Sequence, residues 1–282
     1  MNQNLTEKEM KNEDIEIRLL LEAVHLKYGY DFRNYSDAHM KRRILRRMSI
    51  VGLNNISEMQ YKVLNDSEFF KALLTDFSIN VTEMFRDPSF YKAFRKEVVP
   101  ILKTYPFIRI WHAGCSTGEE VYSMAILLKE EGLLDRTQIY ATDFNEVVLH
   151  KAKEGIYSID VIKDYTQNYQ LSGGTASFAD YYIAKYDSAI LDQSLKSKII
   201  FADHNLVTDN VFGEMQVVVC RNVLIYFNKE LQSHVIKLFN DSLCNGGFLC
   251  LGSKESIKNA QCQNNFNEFI EKEKIFRKKF VL

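Results

Sequence analysis

The stretch Trp111–Ile126, WHAGCSTGEEVYSMAI, sets two glycines and a Cys-Ser-Thr between an apolar run and a segment that opens on two acids. Upstream, FIRIWHAG from Phe107 reads as a buried strand. Downstream, EEVYSMAILLKEEG reads as a helix ending near Gly132. The order strand, glycine turn, helix continues outward. QIYATDFN is a second strand and EVVLHKAKEG a second helix. KIIFADHNL and MQVVVCRNVLIYF carry two more strands, ELQSHVIKLFNDSL a helix and GGFLCLGS a last strand. Such alternation predicts a parallel sheet covered by helices on both faces, an α/β fold.

One interval breaks the alternation. Gly155 to Lys198 spans about 40 residues where a crossover needs only a few. It holds QLSGGTAS, a flexible turn, and YYIAKYDSAILDQSLKSK, which fits short antiparallel strands, so residues 156–200 read as an inserted subdomain. The first 100 residues lack strand signals. Helical spacing covers 15–28, a Ser36 or Asp37 cap opens a helix to about Ile50, and shorter helices fall near 57–64 and 67–77. Pro88 sits where another helix can start. The expected organisation is a disordered tail over 1–14, a helical domain with its linker over 15–95, and the α/β domain over 96–282.

Composition excludes several classes. The chain has 282 residues, 46% of them hydrophobic, so it can bury a large core and form more than one domain. No apolar run reaches the roughly 20 residues of a membrane span, and the polar N-terminus lacks a signal-peptide pattern. Membrane insertion is therefore not expected. Five widely spaced cysteines without a CxxC read as small buried hydrophobes of a reducing cytoplasm. Six histidines form no HExxH or similar pair, so no metal is expected. A net charge of −1 gives no nucleic-acid footprint, and no stable nucleic-acid partner is expected. Nothing demands an oligomer, and a monomer is expected.

The glycine turn itself is selective. A phosphate loop needs GxxxxGK[ST]; here Gly114 and Gly118 are too close and no lysine follows. A dinucleotide loop aims a bare helix N-terminus at a pyrophosphate. Glu119 and Glu120 suit the helix dipole by themselves, but they would repel a pyrophosphate and attract a cation. S-adenosylmethionine carries an ammonium and a sulfonium and no phosphate, so it fits better. Asp143 ends the next strand, about 25 residues on, where an acid can take both ribose hydroxyls. The third strand ends at Asp203-His204-Asn205-Leu206 and the fourth at Cys220-Arg221-Asn222. In an open α/β sheet all these ends face one crevice.

Beyond about residue 15 the sequence resembles the chemotaxis receptor methyltransferases, the CheR family. The resemblance is carried by MKRRILRRM, INVTEMFRD, WHAGCSTGEEVYSMA, ATDFNEVVLHKAKEGIY, DHNL and CRNVLIYF. It implies a small helical domain, a Rossmann-like S-adenosylmethionine domain and an inserted β-subdomain. It also implies esterification of glutamate side chains of membrane chemoreceptors, leaving S-adenosylhomocysteine as product. By the same resemblance Asn80, Thr82 and Arg86 match the segment that closes over the cofactor, and Ala113 and Gly114 the turn beneath it. Glu119 matches the acid near the methionine ammonium, Asp143 the ribose ligand, Asn205 and Leu206 the adenine side, and Arg221 and Asn222 the strand-end contacts. Tyr226 matches an aromatic at the methyl-transfer site. Two positions depart from the family: Val121 stands where relatives usually have proline, and His112 where a small residue is usual.

A glutamate carboxylate is already ionised near neutral pH, so transfer needs alignment more than a strong base. Tyr226 could hold the sulfonium by cation–π contact, and Arg86 could steer the carboxylate. The NPPY-like turn of amino-methylating DNA enzymes is replaced by RNVL, against a base amine as acceptor.

The helix MKRRILRRM adds a partner signal. At about 100° per residue, Arg42, Arg43, Arg46 and Arg47 gather on one side, and Ile44, Leu45, Met48 and Val51 on the other. No acid lies between Met40 and Ser49. A solvated face usually mixes charges, so this one reads as a docking face for an anionic partner, such as the cytoplasmic helical domain of a chemoreceptor or a receptor-like signalling protein. Two alternatives stay open: RNA or a small molecule as acceptor on the same cofactor, and a non-catalytic cofactor-binding adaptor.

Overall fold

The computed structural model describes residues 11–78, 82–258 and 260–280. The chain divides into two compact units, Met1–Ile79 with Tyr226–Asn228, and Asn80–Ile225 with Lys229–Leu282. The segment around Pro88, which the sequence reading placed with the helical domain, thus falls in the second unit.

The described residues of the first unit form four α-helices: α1 Asn12–Tyr28, α2 Asp37–Val51, α3 Ile56–Asn65 and α4 Ser67–Phe77. Each boundary has a local cause. Gly29 ends α1 in the left-handed region at φ 78, its N–H returning to the carbonyl of His25. Asn55 caps α3 by accepting from the Glu58 N–H, and Asp66 caps α4 by accepting from Glu68 and Phe69. Leu20, Val24, Ile44, Met59, Val63 and Leu73 are fully enclosed and form the core. The helix start at Asn12 takes in part of the stretch read as a tail; Met1–Met10 lie outside the described residues.

The second unit begins its regular structure with α5 Pro88–Ala93, whose proline stands in the first turn, where a missing N–H is harmless. It runs through a π-helical turn at Phe94–Val98 into α6 Val99–Leu102. The sheet follows: β1 Ile108–Ala113, α7 Glu119–Glu130, β2 Thr137–Asp143, α8 Glu146–Glu154, then the insertion. The insertion contains β3 Ile156–Ser158, α9 Ile162–Leu171, β4 Tyr182–Lys185, β5 Ser188–Leu191 and α10 Gln193–Lys196. The sheet resumes with β6 Ile199–Asp203, β7 Met215–Cys220, α11 Lys229–Ser242, β8 Leu243–Leu251, β9 Phe266–Ile270 and β10 Ile275–Lys278.

The large sheet has the order β6-β2-β1-β7-β8-β10-β9. The first five strands are parallel, and β10 and β9 close one edge antiparallel. The expected Rossmann-like α/β architecture, with a small antiparallel sheet of order β3-β5-β4 inserted, is what the chain forms. Helix α9 and the short α10 in the insertion, α6 and the β9–β10 hairpin go beyond the sequence reading. The turn joining the hairpin strands, Glu271 to Lys274, is wholly charged, and the edge strand β9 is only five residues long.

The insertion is tied to both ends of α7. At the C-terminal end, Glu130 Oε1 accepts from the Tyr169 and Tyr181 hydroxyls and the Thr175 N–H, while Oε2 accepts from Arg95 at 2.6 Å. At the N-terminal end, the Tyr157 hydroxyl donates to the Thr117 carbonyl at 2.8 Å.

Candidate functional site

The register of the parallel strands aligns their carboxyl ends. Ala113 pairs with Thr142, Asp143 with Asp203, and His112 with Val219. The strand order reverses at β1, between β2 and β7, the position where ligands of such sheets sit.

The loop from Ala113 to Gly118 is built here. Gly114 has φ +79, and a Cβ on it would lie 2.6 Å from Cγ2 of Val223, so only glycine fits this close approach. The N–H groups of Gly114 and Cys115 both donate to the Thr142 carbonyl, at 2.8 and 2.9 Å. The Ser116 N–H donates to Asp143 Oδ2 at 2.9 Å, and the Asn145 N–H to Oδ1 at 3.1 Å. Asp143 thus braces the turn before Asn145, which caps α8 by accepting from the Val147 N–H, and the Phe144 N–H adds a third backbone bond to the Asp143 carboxylate. Its burial pushes the carboxyl up to about 6, against the backbone N–H groups that favour its charge; Asp203 adds to the rise.

Glu119 is buried at the start of α7. Its Oε2 accepts from the Thr117 hydroxyl at 2.7 Å, and its Oε1 from the Tyr165 hydroxyl of α9 at 3.5 Å. Burial raises its carboxyl above the usual range, and the hydroxyls only moderate the rise. Among the described residues no cation acts on it. A buried carboxylate held by two hydroxyls and its own backbone N–H, with no charged partner, fits an incoming ammonium group.

Glu120 points elsewhere. Its Oε1 meets His112 Nδ1 at 3.0 Å and its Oε2 accepts from Arg221 at 3.2 Å. Burial pushes this carboxyl up, but His112 and Arg221 outweigh it and the result is lowered. The Arg221 guanidinium, 2% exposed, also donates to Asp87 at 2.7 Å and to the Arg86 carbonyl at 3.3 Å, and lies 4.2 Å over the Phe90 ring. Arg86 therefore sits in a strap whose backbone is pinned. Its neighbours Phe85 and Asp87 are left-handed at φ 55 and 57, conformations that persist only where the surroundings impose them. Phe85 N–H adds a bond to Ser123 Oγ on α7 at 2.8 Å.

The sequence-derived residues are distributed as follows. Thr82, Arg86, Ala113, Gly114, Glu119, Asp143, Asn205, Leu206, Arg221 and Asn222 all lie in the second unit; Asn80 falls outside the described residues. The Asn205 Oδ1 accepts from the Val207 N–H at 3.0 Å, shaping the turn that follows β6, and Leu206 is buried beside it. Arg221 is committed to the ion cluster. Asn222 has φ 63, a left-handed value that asparagine tolerates. Tyr226 belongs to the first unit, where its carbonyl accepts from the Ser36 N–H at 2.8 Å and its ring stands edge-on to His39 at 5.2 Å.

The arginines of α2 divide. Arg42 and Arg46 are exposed, whereas Arg43 and Arg47 are half-buried. Arg47 pairs with Asp76 of α4 and donates to the Ala72 carbonyl at 2.8 Å. The acid missing from the helix's own sequence comes from its neighbour. Sequence reasoning read Glu120 with Glu119 as drawing a cationic ligand, whereas the structure commits it to His112 and Arg221; it missed Thr117, Tyr157, Tyr165 and Glu255. Only the separate place of Glu120 had a signal: two consecutive acids on a helix cannot face the same surroundings.

Among the described residues no group of three or more His, Cys, Asp or Glu is arranged to hold a metal, and no helix is long and apolar enough to cross a membrane.

Comparison with known proteins agrees with this architecture. The family profile described as the CheR methyltransferase SAM binding domain matches residues 80–273, and the CheR methyltransferase all-alpha domain matches residues 15–78. A protein of Pseudomonas putida named putative methyltransferase Cher3 is 56% identical over 268 residues, 95% of this chain and 98% of that one. The chemotaxis protein methyltransferase of Listeria innocua is 32% identical over 243 residues, 82% of this chain and 86% of that one. The solved N-methyltransferase NodS of Bradyrhizobium japonicum, in complex with S-adenosylhomocysteine, is 12% identical with a TM-score of 0.34 over 61% of this chain and 63% of that one.

Proposed function

Since the chain belongs to the CheR methyltransferase family, with its S-adenosylmethionine-binding domain, we propose that it esterifies glutamate side chains of chemoreceptors or receptor-like signalling proteins in the cytoplasm. The observation that carries the reading is the buried Glu119, bonded by neutral donors and facing no cation among the described residues, at the start of α7 beside a glycine turn braced by Asp143.

In this reading Glu119 holds the methionine ammonium, and the Asp143 carboxylate takes the ribose hydroxyls. Asn80, Thr82 and Arg86 close the strap side, Ala113 and Gly114 lie under the cofactor, and Asn205 and Leu206 line the adenine side. When bound, S-adenosylmethionine supplies an electrophilic methyl group on a sulfonium. The protein's work is alignment. Arg86 draws the glutamate carboxylate in, and Tyr226 supplies an aromatic face and a hydroxyl that orients it. Arg221 and Asn222 fix the strap and the strand end. Such positioning is worth on the order of 7–11 kcal/mol of a barrier. Exposed Arg42 and Arg46, with Arg43 beside them, meet the acidic receptor helices, while Arg47 holds α2 to α4.

The test is transfer from methyl-labelled S-adenosylmethionine to receptor-containing membranes, followed by mild alkali. Volatile labelled methanol is expected, as from a carboxyl methyl ester. Alkali-stable label would instead assign the acceptor to a nitrogen or a nucleic acid. Binding of S-adenosylhomocysteine without any transfer would favour an adaptor.

A further inference from the structure

The segment after β7 has an anchor that the sequence gives no hint of. Glu255, 4% exposed, lies in the turn after β8, thirty-odd residues downstream of the segment it holds. Its Oε1 accepts from the N–H groups of Val223 at 2.8 Å and Ile225 at 3.3 Å. Its Oε2 accepts from Asn222 at 3.0 Å and from Gly252 at 2.6 Å. Four backbone donors converge on one carboxylate. Three of them belong to one short run that also contains the left-handed Asn222. Those N–H groups have no strand or helix partner to use, and a buried N–H left alone is costly. The carboxylate replaces a ladder.

The same run touches the cofactor loop. Val223 occupies the space that a Cβ on Gly114 would enter. Gly252 leaves no more room on the far side: a Cβ there would lie 2.8 Å from the Asn222 nitrogen and 2.8 Å from Glu255 Oε2. The run is therefore clamped between Glu255 and Gly252 on one side and Gly114 on the other.

We propose that Glu255 is a positioning residue for methyl transfer: its carboxylate sets the backbone of Asn222–Ile225, and through Val223 the shape of the Gly114 turn. This rests on reading that turn as the cofactor cradle. Glu255 touches neither cofactor nor acceptor; it acts through the run it holds. No neutral isostere can replace it. A glutamine presents two N–H groups to backbone donors on one side, so the run must shift whichever way the amide turns.

The experiment compares the full chain with Glu255→Gln, Glu255→Asp and Gly252→Ala, each at a temperature where circular dichroism shows it fully folded. Two quantities are read: calorimetric affinity for S-adenosylhomocysteine, and kcat and KM for methylation of receptor-containing membranes. Glu255→Gln is expected to weaken product binding about tenfold. It should lower kcat about 100-fold, the scale of a 1 Å misplacement, with KM for the membranes within about twofold. Glu255→Asp keeps the charge but is too short for all four donors, and should fall between. Gly252→Ala changes no charge and presses on the same run, and should reproduce Glu255→Gln. If Glu255→Gln does not fold, the other two variants decide.

Wild-type affinity and wild-type kcat in the folded variants, with only a lower melting temperature, would overturn the proposal and leave Glu255 a stabilising residue. If the parent chain binds S-adenosylhomocysteine but methylates no receptor, the functional reading fails separately. The affinity series then still decides whether Glu255 shapes the cradle.

Discussion

Glu119 and Glu120 are consecutive residues in one helical turn, yet their carboxylates live in opposite environments. Glu119 is buried among hydroxyls, and its carboxyl is raised by desolvation. Glu120 is mostly buried too, but His112 and Arg221 surround it and more than offset that burial. One site is electrostatically complete and fixes the Arg86 strap. The other is incomplete, and an incoming cation would complete it. A charge's role here follows from what the fold brings to it, since residue type and sequence position are nearly the same.

The largest effect expected is on the complete side. Arg221→Ala strands Glu120 and Asp87 without their buried cation, and should cost about 3–5 kcal/mol of stability in denaturant melts. A loss below about 1 kcal/mol would break the contrast, because Glu120 would then not depend on its partner. On the incomplete side, Glu119→Gln should weaken S-adenosylhomocysteine binding tenfold or more, about 1.4 kcal/mol, by calorimetry. The ligand-free chain should melt no earlier, since a desolvated charge has been removed. Equal affinity in parent and variant would take the ammonium away from Glu119.

Asp143 sharpens the comparison through pH. Its folded value of about 6 lies above the ordinary 3.8, so the folded state binds the extra proton in between. For this group alone, ligand-free stability rises as pH falls from about 6 toward 4, and is lost as pH climbs back through 6. Ribose binding needs the ionised form to accept two hydroxyls, so affinity should move the other way. It should weaken by up to about tenfold per pH unit below about 6, as one proton requires. Asp143→Asn should bind weakly at every pH and show no such slope. A parent affinity that is flat between pH 5 and 7 would remove Asp143 from the ribose.

The smallest effects fall on α2, where the same contrast recurs between Arg47, paired with Asp76, and the exposed Arg46. Arg47→Ala should cost under about 1 kcal/mol of stability. Arg46→Ala should leave melting unchanged and raise KM for receptor membranes a few-fold, with the difference shrinking in high salt. A salt-independent KM would argue against docking through this face.

Much of this was legible in the sequence for physical reasons. β1, its glycine turn and α7 declare themselves through an apolar run, a tight turn and a helical period. Asp143 is readable because the end of the second strand is a fixed place in the topology. The β9–β10 hairpin escaped notice because its strands are short and its turn, Glu271 to Lys274, is a charge run that reads as solvated surface. Helix α9 was hidden in an interval whose turns and β-prone tyrosines suited strands as well. The long-range partnerships were out of reach altogether. Arg221 and Glu120 are 101 residues apart, and no local pattern announces that they meet. Asp76 lies on a different helix from Arg47, so a wheel drawn for one helix overstates its open charge.

The two-ended attachment of the insertion to α7 has a consequence in time. With Tyr165 of α9 on Glu119 at one end and Tyr169 of α9 on Glu130 at the other, α9 cannot open without releasing bonds at both ends of a core helix. Its amides should exchange with solvent at rates close to those of α7, as one cooperative unit. The exposed rim of the small sheet, where Ile183 and Tyr186 face solvent, should exchange much sooner. A chain segment that interrupts the fold in sequence thus keeps pace with its core in motion.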